Sequence, residues 1–365
     1  MSSRLSVLFI LVSTIIISCT GDKSGDSNSR LLPKATGRAG EMIIVTDSAH
    51  WAGELGKALK ETFREEVSGL PREEYLFKVN RVDPRKLNDL LKGVKNLVFV
   101  MALDSRSAET RALKSYFTES SIERIKKDPD IFVHTVKDEY AKGQNIMYLF
   151  SSTEKALTEK VKTNKELIQT YFNQAENERL KAGLYKAKIP VGLRDLLRKD
   201  HNCSMTLPFG YQQVVNENGF VWFRQINDES DKNVFITYKD YKSQTQFEKD
   251  NLIAFRDSVA REQLFEDPDY PDTHILTETK VPYIPVVTEV ITFNGSYAVE
   301  MRGLWKTANI SMGGPFVGYA LVDEELGRLY YVEGFVYSPG KNQREFMREM
   351  EVILSTFRTS NQFGS

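Results

Sequence analysis

The chain is poor in the residues that most redox and metal chemistry uses. Among 365 residues there are two cysteines and four histidines. The histidines, His50, His134, His201 and His274, are scattered, with no H-E-x-x-H and no i, i+4 pair. A zinc site would have to be assembled from distant positions, so surface or singly satisfied histidines are the expectation, with no metal and no cofactor. A G-x-S-x-G elbow, a Walker loop and a dinucleotide fingerprint are all missing. Gly37-Arg38-Ala39-Gly40 precedes a strand, the wrong side for cradling phosphate. An excess of either charge is missing too: Lys+Arg number 49 against Asp+Glu 50. Nucleic-acid binding needs a concentrated basic face, so nucleic acid is not expected as a partner. Beyond the first residues, no stretch approaches a membrane span.

The N-terminus itself is distinctive. Arg4 supplies a short basic segment, and Leu5 to Ile17 form an apolar run broken only by Ser6, Ser13 and Thr14. As a helix that run reaches about 20 Å, short of a hydrocarbon layer of about 30 Å. It reads as a cleaved signal peptide over residues 1–18. Ile16-Ile17-Ser18-Cys19 resembles a lipobox, which implies diacylation of the Cys19 sulfur and acylation of its freed amine. Several acyl chains together make a stable anchor where one would be marginal. Cys203 is then the one remaining thiol, expected to be buried and inert despite His201 nearby. Residues 20–40, rich in Gly, Ser, Asp and Lys, read as a flexible tether that reaches about 25 Å.

From residue 41 strands and helices alternate. Met42 to Thr46 reads as a strand, and Trp51, Leu55, Ala58, Leu59, Thr62 and Phe63 as one amphipathic helix. Tyr75 to Val82 reads as a second strand, followed by a helix with Pro84 in its first turn and Leu87, Leu90 and Leu91 on one face. Leu97 to Leu103 has the continuous apolar character of a strand buried on both faces. A helix around Leu113 to Ile125 follows, then a hairpin of Ile131 to Val136 and Ile146 to Phe150 about Gly143. Ser151 and Glu154 read as the capping box of a long charged helix reaching about Leu180. Residues 41–185 therefore predict a three-layer α/β domain.

Gly183, Pro190 and Gly192 mark a boundary, with a short helix over Leu193 to Leu197 beyond it. Residues 186–358 then read mostly as strands: 219–225, 234–238, 286–293, 297–305, 316–322 and 328–337. Asn294-Gly295 is a strong hairpin signal. Helices are expected over Phe247 to Leu264 and Arg344 to Phe357, which gives an antiparallel-sheet α+β domain and a C-terminal tail over 359–365. The closing order of strand, Tyr337-Ser338-Pro339 turn and helix resembles in topology the Mog1/PsbP-like fold.

Several motifs carry a wider resemblance. They are Gly40-Glu41-Met42-Ile43-Ile44-Val45-Thr46-Asp47, Trp51, Leu70-Pro71, Pro208-Phe209-Gly210-Tyr211, Phe220-Val221-Trp222-Phe223-Arg224, Arg302-Gly303-Leu304-Trp305, Gly313-Gly314-Pro315-Phe316-Val317 and Gly334-Phe335-Val336-Tyr337. With the lipobox, they resemble the domain-of-unknown-function 4837 family, lipoproteins of Bacteroidota, over nearly the whole mature chain. The resemblance implies a lineage and a location, but no activity and no catalytic residues.

Two groups of residues are the candidates for a site. Asp47 and Asp104 follow apolar strands at their C-terminal ends, where open α/β sheets bind ligands, and Trp51, Ser105 and Arg106 lie close in sequence. Helix capping by Asp47 competes with that reading. Arg302, Trp305 and Phe316 are the candidates for an interface, with Gly313-Gly314-Pro315-Phe316 as a turn that admits close approach. A hairpin corner over a core tryptophan is the competing reading. Ser152-Thr153-Glu154-Lys155 matches S-x-x-K, but S-D-N and K-T-G are missing and capping accounts for these residues. The expected role is a non-enzymatic binding or assembly module, lipid-anchored in the cell envelope at the periplasmic face or the cell surface of the outer membrane. Its expected partner is an envelope protein or a glycan. The alternative is an envelope hydrolase acting on peptidoglycan or glycans through carboxylates from separate strands, which leave no local motif.

Overall fold

The computed structural model describes residues 32–363 except 266, 268, 282 and 283. Cys19, the signal peptide and most of the tether lie outside the described residues. The N-terminal unit is a five-stranded sheet in the order β2-β1-β3-β5-β4, parallel except for the edge strand β4. Along the chain run β1 (Glu41–Thr46), α1 (Ser48–Ala52), α2 (Glu54–Phe63), β2 (Lys78–Val82) and α3 (Asp89–Lys92). Next come β3 (Asn96–Ala102), α4 (Ala108–Lys114), α5 (Glu119–Lys127), β4 (Val133–Lys137), β5 (Asn145–Ser151), α6 (Glu154–Thr163) and α7 (Lys165–Leu184). Every residue of β3 and of β5 is buried, as continuous apolar runs require when helices cover both faces. Leu55, Leu59, Phe63, Leu157, Val161 and Phe172 fill one face of this sheet, and Leu87, Leu113 and Ile125 cover the other. The expected three-layer α/β unit is therefore present.

Some of its elements depart from the expectation for local reasons. The helix through Trp51 is two helices meeting at Gly53, and α2 crowds Trp51: a Cβ on Gly56 would lie 2.0 Å from the Trp51 carbonyl oxygen. The helix after Pro84 breaks into a 3-10 turn, Pro84–Lys86, and the short α3, because Asn88 caps a new start through Leu91 N–H. The segment through Leu113 and Ile125 is likewise two helices, α4 and α5, each capped by its own hydroxyl, Ser107 and Thr118. Thr153, rather than Ser151, caps α6 by accepting from Ala156 N–H.

The rest is antiparallel. It contains α8 (Val191–His201), β6 (Cys203–Ser204), β7 (Gln212–Glu217), β8 (Phe220–Ile226), β9 (Asp231–Asp240), α9 (Lys249–Gln263) and β10 (Ile275–Glu278). It continues with β11 (Val287–Phe293), β12 (Ser296–Thr307), β13 (Gly313–Asp323), β14 (Arg328–Tyr337), α10 (Arg344–Leu354) and β15 (Arg358–Thr359). The main sheet runs β10-β12-β13-β14-β9-β8-β7, and β11 pairs with β12 beside β10. Asn294 and Gly295 both take positive φ, 51° and 84°, as the two-residue β11–β12 turn demands. α8 and α10 cover one face, where Leu197, Met350, Ile353 and Phe357 are buried with Val221, Val332 and Val336. α9 covers the other, with Leu252 and Ala260 against Phe235, Phe316 and Tyr331.

Gly313-Gly314-Pro315-Phe316 is not a turn but the start of β13. A Cβ on Gly314 would meet the Val336 carbonyl oxygen at 2.0 Å and Trp305 Nε1 at 3.2 Å, so the glycine lets β12, β13 and β14 lie close beneath the indole. Pro315 is tolerated because β13 pairs only with β12 there; the β14 ladder begins at Phe316.

The two units are joined by side chains. Glu74 accepts from the Gln343 and Arg344 N–H groups, at 2.6 and 3.1 Å, and so caps α10 from across the boundary. Arg344 Nη1 donates to the Tyr75 carbonyl at 2.8 Å, and Arg348 Nη1 to Asn177 Oδ1 at 3.1 Å.

Candidate functional site

The strand order places a switch between β1 and β3, and Asp47 and Asp104 stand at its C-terminal edge. Asp47 is 1% exposed and fully engaged: its carboxylate accepts from Ala49 N–H at 2.8 Å, from Thr110 Oγ1 at 3.1 Å and from Ser107 Oγ. Burial raises its carboxyl, but the Ser107, Ala49 and Thr110 hydrogen bonds and His50 together hold it below the usual value. Asp104 is exposed and caps α6 by accepting from Glu154 N–H. Trp51 is half-buried with Lys60 Nζ 4.6 Å from its ring centroid, and Arg106 is exposed with its carbonyl accepting from Arg111. The four residues share one edge of the sheet without converging on a common space.

Sequence reading missed the group that occupies this edge. Glu109 accepts from Arg81 Nη2 at 2.7 Å, from Arg85 Nη2 at 3.0 Å and from Ser48 N–H. Arg81 also donates to the Thr46 carbonyl, and Arg85 pairs with Asp83, whose carboxyl that guanidinium lowers to about 2. Residues from 46 to 109 build this network with no local spacing to betray it.

The expected interface is buried. Trp305 is 3% exposed and donates from Nε1 to the Val336 carbonyl; Phe316 is 1% exposed, with the Arg256 guanidinium 4.2 Å from its ring centroid. Arg302 lies between two carboxylates, donating to Glu300 Oε2 at 2.8 Å and to Glu351 Oε1 at 2.6 Å. Burial alone would lower this guanidinium; the Glu351 and Glu300 carboxylates raise it well above its ordinary value. Glu300 and Glu351 are thus two acids in one cleft, and both are occupied by a cation. Glu333 is pushed up by burial, against the pull of Arg256 and Tyr331, but it lies in the core rather than a cleft. Among the described residues, no group of three or more His, Cys, Asp or Glu could hold a metal ion.

What the surface does offer lies along β11. This strand hydrogen-bonds to β12 alone among the described residues, in unbroken register from Val287↔Arg302 to Phe293↔Ser296. The other long edge, β7, is bent by a bulge between Gln213 and Val215. Bulges and short, charged edges are how sheets discourage added strands, and β11 has no bulge. Two of its apolar residues are open, Val287 at 40% and Val290 at 63% exposed, beside Tyr297 at 48%, while Phe293 turns into the core.

The pairing shows which residues share a face. Val290 stands opposite Val299, and Thr292 opposite Tyr297; on the reverse face Val287 stands opposite Arg302 and Glu289 opposite Glu300. Each face opens on a hollow. On the first, a groove of about 450 Å³ runs between Val290, Tyr297 and Phe247 in the 3-10 turn just before α9. On the second, a cleft of about 350 Å³ lies between the two units, lined by five glutamates and by Arg302, Arg344 and Arg348. Glu300 and Glu351 are paired with Arg302 and Glu65 with Lys165, which leaves Glu66 and Glu289 as its exposed acids beside β11. The edge strand is therefore flanked by an apolar-floored groove on one side and, on the other, by a cleft of mixed charge in which Glu289 and Glu66 are exposed.

Residues 193–356 match the family described as Domain of unknown function (DUF4837). Residues 35–185 match a different one, Domain of unknown function (DUF8532), so the motifs from Gly40 to Pro71 fall in that second family's segment. No curated protein matches the chain. Among solved structures, a point mutant of the protein Mog1 is 5% identical over 44% of this chain and 93% of its own, at a TM-score of 0.26. The Ran-binding protein Mog1p of Saccharomyces cerevisiae is 5% identical over 44% and 90%, at 0.27. The lipid transfer and protein localization domain of human StarD13 (DLC2) is 9% identical over 46% and 95%, at 0.15. Likenesses this loose assign no role to any residue.

Proposed function

We propose that this chain, whose second unit matches the DUF4837 family, is a lipid-anchored envelope protein that binds an extended segment of a partner polypeptide along β11. The observation that carries the reading is an edge strand with no bulge and a hollow on each of its faces. A strand added to such an edge completes its main-chain hydrogen bonds and sends alternate side chains to opposite faces. Here one set would enter the groove by Val290, Tyr297 and Phe247, and the other would face Glu289 and Glu66, both exposed. The matching segment alternates apolar and basic residues. The acids at the β1–β3 edge and beside Arg302 are engaged in caps and ion pairs, which favours binding over hydrolysis.

The anchor is part of the same proposal. Cys19, at the end of an apolar run too short to span a bilayer, becomes the lipidated terminus. The tether after it then holds the folded units within about 25 Å of the membrane. No helix among the described residues is long and apolar enough to cross a membrane. In this reading the acylated Cys19 sits in the outer membrane of a bacterial envelope, at its periplasmic face or at the cell surface.

A photo-crosslinker at Val290 in cells tests the strand site. A discrete protein adduct is expected from Val290, lost on Tyr297→Asp and not formed from the same probe at Val214 on β7. Equal adducts from both edges, or none from Val290, would overturn the assignment. Cys19→Ala separately tests the anchor: membrane association and acyl labelling should both disappear, and unchanged membrane association would defeat it.

A further inference from the structure

We propose a second site, independent of β11, in the N-terminal unit: a pocket for a small carboxylic acid with an apolar body. The pocket, of about 450 Å³, opens between α5 and the β4–β5 edge of the sheet. That volume is in the range of small-molecule sites, which are mostly apolar with a few polar groups to fix orientation. Three rings form its floor. Phe117 meets Tyr148 edge-on at 5.3 Å and Phe150 edge-on at 6.1 Å, and Tyr148 stacks on Phe99 behind them at 4.9 Å. Ile125, 3% exposed, forms part of the wall from α5.

The rim supplies the charge. Arg124, on the exposed face of α5, lines the mouth, and no hydrogen bond or ion pair engages its guanidinium among the described residues. His134 stands across from Tyr148 on β4, its ring 6.2 Å away, and is exposed. The one carboxylate at the pocket, Glu139, accepts from the Tyr148 hydroxyl at 3.0 Å, so the acid end of a ligand belongs on the Arg124 side. An aromatic floor under a guanidinium with no partner complements a molecule that is apolar at one end and anionic at the other. A carboxylate fits Arg124 because the planar guanidinium presents two parallel donors.

Decanoate and 3-phenylpropionate, kept below any micelle concentration, are the probes, one with an alkyl and one with an aryl body. They are titrated into the full chain carrying methyl-labelled isoleucine. Saturable shifts of the Ile125 and Ile131 methyls are expected with at least one of them, and which one binds tighter identifies the body. Arg124→Gln, a surface change that spares the fold, should weaken binding about tenfold. The uncharged amides of the same acids should be weakened to a similar degree. No saturable shift with either acid would overturn the proposal. So would equal affinity for acid and amide, or unchanged binding by Arg124→Gln, since the hollow would then not select a carboxylate.

Discussion

Arg256→Met should unfold the second unit at far lower denaturant than the parent chain. Arg256 and Glu333 are both fully buried, one on α9 and the other on β14. Arg256 donates to Glu333 from Nε and from Nη2, each at 2.7 Å, and the Tyr331 hydroxyl adds a third donor at 2.6 Å. Burial pulls the guanidinium down, and the Glu333 carboxylate more than restores it, so Arg256 stays charged opposite Glu333. Removing the arginine leaves a buried carboxylate with one hydroxyl for company. Breaking such a pair costs about 3–5 kcal/mol, a drop in Tm of about 10 °C. The loss also has a sign in pH. Burial already raises the Glu333 carboxyl, and without Arg256 it rises further. A carboxyl raised in the folded state favours folding below its unfolded value of about 4.3 and loses that contribution as pH climbs through the folded value. The penalty in Arg256→Met should therefore be largest at neutral pH and shrink on acidification. Urea unfolding followed by Trp222 and Trp305 fluorescence in a Trp51→Phe background reads this unit alone. The double variant Arg256→Met, Glu333→Gln should lose less than the sum of its parts. A single variant within about 1 kcal/mol of the parent at pH 7, or a loss that does not diminish in acid, would refute the reasoning.

Two further outcomes follow from the geometry. Glu74→Ala removes the cap that the first unit places on α10, at about 1 kcal/mol for a cap. The two units should then unfold in more widely separated steps and become open to proteolysis near α10, while each keeps its circular dichroism. Cys203 is wholly buried, and burial pushes its thiol far above the ordinary value. A maleimide should leave it unmodified in the native chain and label it promptly in urea; rapid native labelling would show that β6 opens.

The sequence was most legible where physics is local. The apolar run from Leu97 to Leu103 announced a strand covered on both faces, and Asn294-Gly295 announced a hairpin, because each pattern has one cheap backbone solution. Glycine was harder to read. At Gly313-Gly314 it marks not a turn but a strand pressed against Val336 and Trp305, a reason that exists only once β12, β13 and β14 are assembled. Asp47 and Asp104 were placed correctly at the edge of the sheet, yet what surrounds them, Glu109 with Arg81 and Arg85, comes from three separate segments. Trp305 and Phe316 fit an interface because Trp favours one, yet the competing reading of a core tryptophan is the one the packing bears out, while Arg302 lies in the cleft between Glu300 and Glu351. β11 itself was legible as a strand over 286–293. That it is an edge, open on both faces, depends on β10 and β11 sharing one side of β12, and no residue pattern records it.

The most direct test of strand binding at β11 is a titration of the full chain with an alternating Val-Lys peptide about ten residues long. Saturable binding is expected, and a Val-Glu peptide should bind at least tenfold more weakly because of Glu289 and Glu66. A Val-Lys peptide N-methylated at alternate amides should not bind, having lost its ladder donors. Val290→Asp should weaken the parent peptide about tenfold. Equal binding of the basic and acidic peptides, retention of the N-methylated one, or indifference to Val290→Asp would contradict the account.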